Sequence, residues 1–255
     1  MLTFKVTAQN NAADSLAGLL KNTKEDTTRV QILLELCKVN FSDAPNLAIR
    51  YANQAKELSE KLNYGKGTAM ALKNLGLANY MKGDYILTLD YWIQSLEAFE
   101  KSGDKPGVAN ILSNLGAVYF NKGDDASALE YYLKSLKQAE ELNDTLRIIT
   151  TCINIGAVYF NKKATKAKAL EFYFRALPLS ESHGDNDAIG TVSVNIGEIY
   201  LDRMNLDSAL LYFEKSLKAF EGSENLPYTL INIGKVYRYR KDFNKAILFQ
   251  SQAYD

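Results

Sequence analysis

Residues 114–132 read Asn114-Leu-Gly-Ala-Val-Tyr-Phe-Asn-Lys-Gly-Asp-Asp-Ala-Ser-Ala-Leu-Glu-Tyr-Tyr132, and the same text returns along the chain. Asn74-Leu-Gly76, Asn154-Ile-Gly156, Asn195-Ile-Gly197 and Asn232-Ile-Gly234 repeat its opening, with glycines 40, 40, 41 and 37 residues apart. Three residues beyond each glycine stands Asn79, Tyr119, Tyr159, Tyr200 or Tyr237, and an alanine-led segment follows at Ala128, Ala169, Ala209 and Ala246. Self-similarity at such a period marks an array of stacked units.

Within the unit the apolar positions turn with a helical period. Val108, Ile111, Leu112, Leu115 and Tyr119 form one face, and Ala128, Leu129, Tyr132, Leu136 and Ala139 form a second. Lys122-Gly-Asp124 separates them as a helix-stop glycine and a capping acid. Pro45 and Pro106 stand where a first helical turn begins. The expected fold is all-α, a solenoid of about six antiparallel helix-turn-helix units. A leader over 1–27 precedes units at 28–64, 65–104, 105–144, 145–185, 186–223 and 224–255. Glycine inside a helix costs about 1 kcal/mol against alanine, so five at one register predict a neighbouring backbone packed against them. Pro178 is expected to kink or end its helix, and an extra residue falls near Lys163-Ala-Thr165.

Composition removes several functions. Lysine plus arginine balances aspartate plus glutamate, 30 against 30, so no global field draws in nucleic acid or an anionic membrane. No apolar run is long enough to span a bilayer. Cys37 and Cys152 are expected to be free and buried. The single His183 and two cysteines are too few for a zinc site. Gly65-Lys-Gly-Thr68 lacks the phosphate-loop spacing. No catalytic residue, metal or cofactor is expected. Residues 1–8 read either as the remnant of a signal peptide or as an unstructured leader. The first places the chain in the periplasm, the second in the cytoplasm.

Leu115-Gly-x-x-Tyr119, Gly123-Asp124, Ala128, Tyr132 and Leu136 resemble the tetratricopeptide repeat, and the resemblance covers roughly 28–255. It implies a right-handed superhelix that binds a protein or peptide segment in its concave groove. The family's usual period is shorter, and its early tryptophan is replaced here by Leu72, Leu112, Cys152, Ser193 and Leu230, so longer helices are expected. The period near 40, with Asp14-Ser-Leu-Ala-Gly-Leu-Leu20 and Asp26-Thr-Thr-Arg-Val30, also resembles the N-terminal repeats of bacteroidetes-type bacterial sensors, histidine kinases or cyclases.

Opposite the core face of the third unit lie Asn110, Asn114, Ala117 and Asn121, small and uncharged where a solvated face carries lysine and glutamate. The fourth unit repeats them as Thr150, Asn154, Ala157 and Asn161. The second has Met70, Asn74, Leu77 and Met81, the fifth Thr191, Asn195, Glu198 and Asp202, and the sixth Tyr228, Asn232, Lys235 and Tyr239. The family resemblance makes Asn74, Asn114, Asn154, Asn195 and Asn232 a ladder that grips ligand backbone, since an amide both donates and accepts. Alternatively these asparagines bond to neighbouring helices and shape the stack. The Met70 end is expected to be apolar and the Glu198–Asp202 end acidic, suiting a segment with one apolar and one basic end. The chain stops inside the sixth unit's second helix, so either a longer chain or a second copy is expected to cover Phe243, Ile247, Leu248 and Tyr254. The functional expectation is a sensing or scaffold module without catalysis. The alternatives are the N-terminal part of an enzyme and a dimerisation stack.

Overall fold

The computed structural model describes residues 13–254, so the reading of residues 1–8 lies outside it. Every regular element among them is helical. A short α1 (residues 13–22) is followed by α2 (Thr27–Val39), α3 (Pro45–Lys61), α4 (Gly65–Met81), α5 (Tyr85–Lys101), α6 (Lys105–Asn121) and α7 (Asp125–Glu141). Then come α8 (Thr145–Phe160), α9 (Lys166–His183), α10 (Asn186–Asp202), α11 (Leu206–Ala219), α12 (Leu226–Tyr239) and α13 (Phe243–Gln252). From α2 onward consecutive helices pack in pairs as the hairpins of a solenoid. The chain divides into two compact units, one running to Gln138 and one from Ala139.

The helix lengths explain the period. α4 to α7 each hold 17 residues, and three residues join each to the next.

Those three residues do two jobs. Gly83, Gly103 and Gly123 take the left-handed conformation, at φ 79°, 69° and 77°, as a helix C-terminus asks. The next residue donates its backbone N–H into the helix just ended: Asp84 to Asn79 O (3.0 Å), Asp104 to Phe99 O (3.0 Å), Asp124 to Tyr119 O (2.9 Å). Its carboxylate then accepts from the helix just begun: Leu87 N at 3.0 Å, Gly107 N at 2.9 Å and Ser127 N at 3.1 Å. One aspartate therefore closes one helix and caps the next, two sets of orphan groups satisfied by one residue. Asp144, Asp185, Asn205 and Asp242 repeat the device.

The repeat glycines correct the sequence expectation. An aromatic ring from the hairpin's second helix lies against them, not a backbone. A Cβ on Gly116 would meet the Tyr132 ring at 2.6 Å, on Gly156 the Tyr173 ring at 2.4 Å and on Gly197 the Phe213 ring at 2.5 Å. The exception is Gly234, which faces Gln250 Cγ at 2.9 Å and the Ala246 carbonyl at 3.3 Å. Pairs of buried hydroxyls keep the same register: Ser95 donates to Ala69 O and Ser135 to Ala109 O, both at 2.8 Å.

In the N-terminal unit the cores gather Val30, Leu33, Leu34, Leu58, Trp92, Phe99, Ile111 and Leu115. In the C-terminal unit Val194, Leu201, Phe213, Ile233 and Val236 do so. Leu72, Leu112, Cys152, Ser193 and Leu230 are all buried. Pro45 and Pro106 stand in the first turns of α3 and α6. Pro178 does not end α9, which runs on to His183; the proline is exposed and has no N–H to give the turn before it. The extra residue before α9 is taken up by a single 3-10 turn, Lys163–Thr165, tied back by the Thr165 hydroxyl to Tyr159 O at 2.6 Å. Phe243, Ile247, Leu248 and Tyr254 are exposed by 60%, 64%, 54% and 87%.

Candidate functional site

The polar stripe lies on the first helix of each hairpin, and its members differ in what they can offer. In the N-terminal unit Asn114, Asn110 and Ala117 on α6 are half-buried. The Asn114 side chain makes no hydrogen bond among the described residues. Asn121, exposed at the end of α6, donates to the Tyr80 hydroxyl at 2.7 Å and so ties two hairpins together. Asn74 on α4 is only 2% exposed, and its amide nitrogen has no partner. Met70 and Leu77 are half-buried against the core, which leaves Met81 as the open apolar residue of that stripe.

In the C-terminal unit Asn154 and Ala157 on α8 are half-buried, Asn154 again with no side-chain bond among the described residues, and Asn161 is exposed. Asn195 on α10 lies beside the Tyr173 hydroxyl, outside hydrogen-bond geometry. That hydroxyl is fully buried and unpaired. Burial first, then the charge of Glu198, raises the Tyr173 phenol well above its ordinary pKa.

Asn232 departs from the ladder. It is fully buried on α12, and its amide is spent within the chain. Its Nδ2 donates to Tyr228 O at 3.2 Å and to Glu198 Oε1 at 3.3 Å, while its Oδ1 accepts from Lys235 Nζ at 2.8 Å. Its role is to position Glu198 and Lys235. Glu198 Oε1 also accepts from the Tyr228 hydroxyl at 2.5 Å. Burial, followed by this bond and the Glu198 charge, pushes the Tyr228 phenol up to about 12.

These side chains border a cleft of ≈ 500 Å³ whose walls include Phe160, Glu198, Asp202, Tyr228, Lys235 and Tyr239. The predicted acidic end is therefore electrically mixed. Asp202 is paired with Lys166, whose ammonium also stands 4.6 Å from the centroid of the Phe160 ring. Sequence reasoning missed Lys166 because it comes from the second helix of its hairpin, just after the inserted residue. That irregularity was the available signal. Glu198, Asp202 and Asn232 are brought together, whereas Asn74 is sealed into the core.

No group of three or more histidine, cysteine or acidic side chains suited to a metal ion occurs among the described residues. No helix among them is long and apolar enough to cross a membrane. Cys37 and Cys152 are free thiols, and burial raises them to about 12 and about 11.

The tetratricopeptide repeat family model matches residues 67–141, 107–182 and 188–255. No curated protein matches the chain. Solved structures share its fold at low identity. BtubC from P. vanneervenii is 22% identical over 83% of this chain and 90% of its own, with a TM-score of 0.71. A signal-transduction ATPase with a tetratricopeptide repeat sensor, from Pyrococcus horikoshii, is 18% identical over 98% of this chain, with a TM-score of 0.80, and this chain spans 40% of its length. NprR in complex with its cognate peptide NprX is 16% identical over 99% of this chain and 77% of its own, with a TM-score of 0.63. The motif repeats, the hairpins they fold into and the family match agree: the chain belongs to the tetratricopeptide repeat family.

Proposed function

We propose that this chain is a peptide- or protein-binding module that serves as the ligand-sensing or scaffold part of a bacterial signalling protein. The observation that carries the reading is the state of Asn114 and Asn154. Each sits half-buried on the first helix of a hairpin, beside a small alanine, with both amide functions unused among the described residues. Such an amide can take a peptide N–H and C=O together, and desolvating it without a partner is costly. Asn195 adds a third open amide. The same fold in NprR holds a peptide, and in the Pyrococcus horikoshii protein it is a sensor. An array of extended peptides tests the reading. Sequence-selective binding is expected, with no preference for acidic C-terminal tails; tightest binding to acidic C-terminal peptides would overturn it.

A second reading, self-association through α13, is favoured by the exposure of Phe243 and Ile247. Leu170 and Leu210, which stand in α9 and α11 where Ile247 stands in α13, are buried and half-buried. Size-exclusion chromatography is the test: a dimer that persists in high salt supports it, and a monomer removes it.

A further inference from the structure

We propose that the cleft flanked by α10 and α12 reads two opposite charges in neighbouring positions of the ligand, a cation toward Glu198 and an anion toward Lys235. The inference rests on the peptide-binding reading above and names what that ligand carries.

Four charged side chains line the cleft, and they fall into two kinds. Lys166 and Asp202 satisfy each other, with the ammonium held over Phe160. Here the chain itself fills an ammonium site made of a carboxylate and a ring face, an arrangement with a known attraction. Glu198 and Lys235 have no such partner. Among the described residues neither forms an ion pair, and they do not pair with each other. Glu198 draws neutral donors to one oxygen only, the Tyr228 hydroxyl at 2.5 Å and Asn232 Nδ2 at 3.3 Å. Lys235 gives one proton to Asn232 Oδ1 at 2.8 Å.

Asn232 is thus a buried amide wedged between two uncompensated charges, with its donor end on the acid and its acceptor end on the ammonium. It fixes them on either side of itself and prevents their collapse into an internal pair. A ligand bringing a single charge would satisfy one and leave the other. A ligand bringing both satisfies the set. Tyr228, 49% exposed, places a phenol ring on the rim where a guanidinium can lie; the Tyr239 ring already carries the chain's own Arg238, 5.7 Å from its centroid.

The test uses the full chain and four pools of fluorescein-labelled octapeptides. Their central pair is arginine with aspartate in either order, arginine with asparagine, glutamine with aspartate, or glutamine with asparagine, and the flanks are uncharged. Anisotropy titrations are expected to rank the doubly charged pool tightest. Losing either charge should cost roughly tenfold, about 1.4 kcal/mol. Glu198→Gln, which keeps an acceptor for Tyr228, should abolish the preference for arginine alone. Lys235→Gln should abolish the preference for aspartate alone. Equal binding of all pools, or variants that shift every pool together, would overturn the charge-pair site and leave peptide binding standing. Absence of binding by every pool would overturn both.

Discussion

The indole of Trp92 lies across Gly76, with the site of a missing Cβ only 2.2 Å from its Cδ1, and the ring is pinned there by a 2.9 Å hydrogen bond from Nε1–H to the Lys73 carbonyl. The glycine and the ring are one device, repeated in later hairpins with Tyr132, Tyr173 and Phe213. Alanine at position 76 must displace a ring that is hydrogen-bonded in place. We expect Gly76→Ala to destabilise the protein by about 1–3 kcal/mol, the usual cost of overpacking. Gly18, on α1 with nothing within 4 Å, should respond oppositely, gaining up to about 1 kcal/mol from helix propensity. Urea unfolding of the two variants distinguishes a packing role from a general glycine effect.

The turn residues predict gains as well as losses. Met204 and Lys241 hold φ at 58° and 61°, in the region that the glycines of other hairpins occupy. A side chain there costs about 1–2 kcal/mol, part of which glycine returns through its freer unfolded chain. Lys241→Gly and Met204→Gly should each stabilise by up to about 1 kcal/mol, measured by the same unfolding curves.

Asp104 predicts a pH dependence. Burial works to raise its pKa, but the Gly107 N–H and the Lys66 ammonium outweigh it, so the carboxyl ionises below its ordinary value. A folded-state pKa below the unfolded one stabilises at pH values above the unfolded pKa. That stability is lost as pH falls through the folded value. The expected loss lies on the acid side of about pH 4. Asp104→Asn should flatten this limb while keeping a capping acceptor. Asp104→Ala should also lose about 1 kcal/mol at neutral pH.

The thiols give a simple probe of integrity. Cys37 is completely buried and raised by that burial to about 12, so thiolate is scarce at neutral pH. Neither cysteine should react with an aromatic disulfide reagent until the chain unfolds. Rapid labelling of the native protein at neutral pH would contradict the burial of these thiols.

The hairpins were legible because their signals are local and repeated: Gly123-Asp124 states a turn in two residues, and Ile111, Leu112 and Leu115 state a buried face. What packs against Gly116 was not legible, since Tyr132 lies a helix away and only the folded hairpin brings the ring to the glycine. The stripe was readable as a stripe. Its members' fates were not, because burial depends on the neighbouring helices. Asn74 and Asn232 are sealed in while Asn114 and Asn154 remain open. Lys166 was invisible for the same reason, reaching Asp202 from a different helix 36 residues away.

In the proposed function, open amides on the first helices hold a ligand backbone. The direct measurement takes a peptide selected from a displayed random library against the full chain and titrates it into the wild type and the Asn114→Ala/Asn154→Ala double variant. Binding to the double variant is expected to be at least tenfold weaker, about 1.4 kcal/mol or more, with an unchanged melting temperature. Unchanged affinity with a lowered melting temperature would contradict it and return the asparagines to a purely structural role.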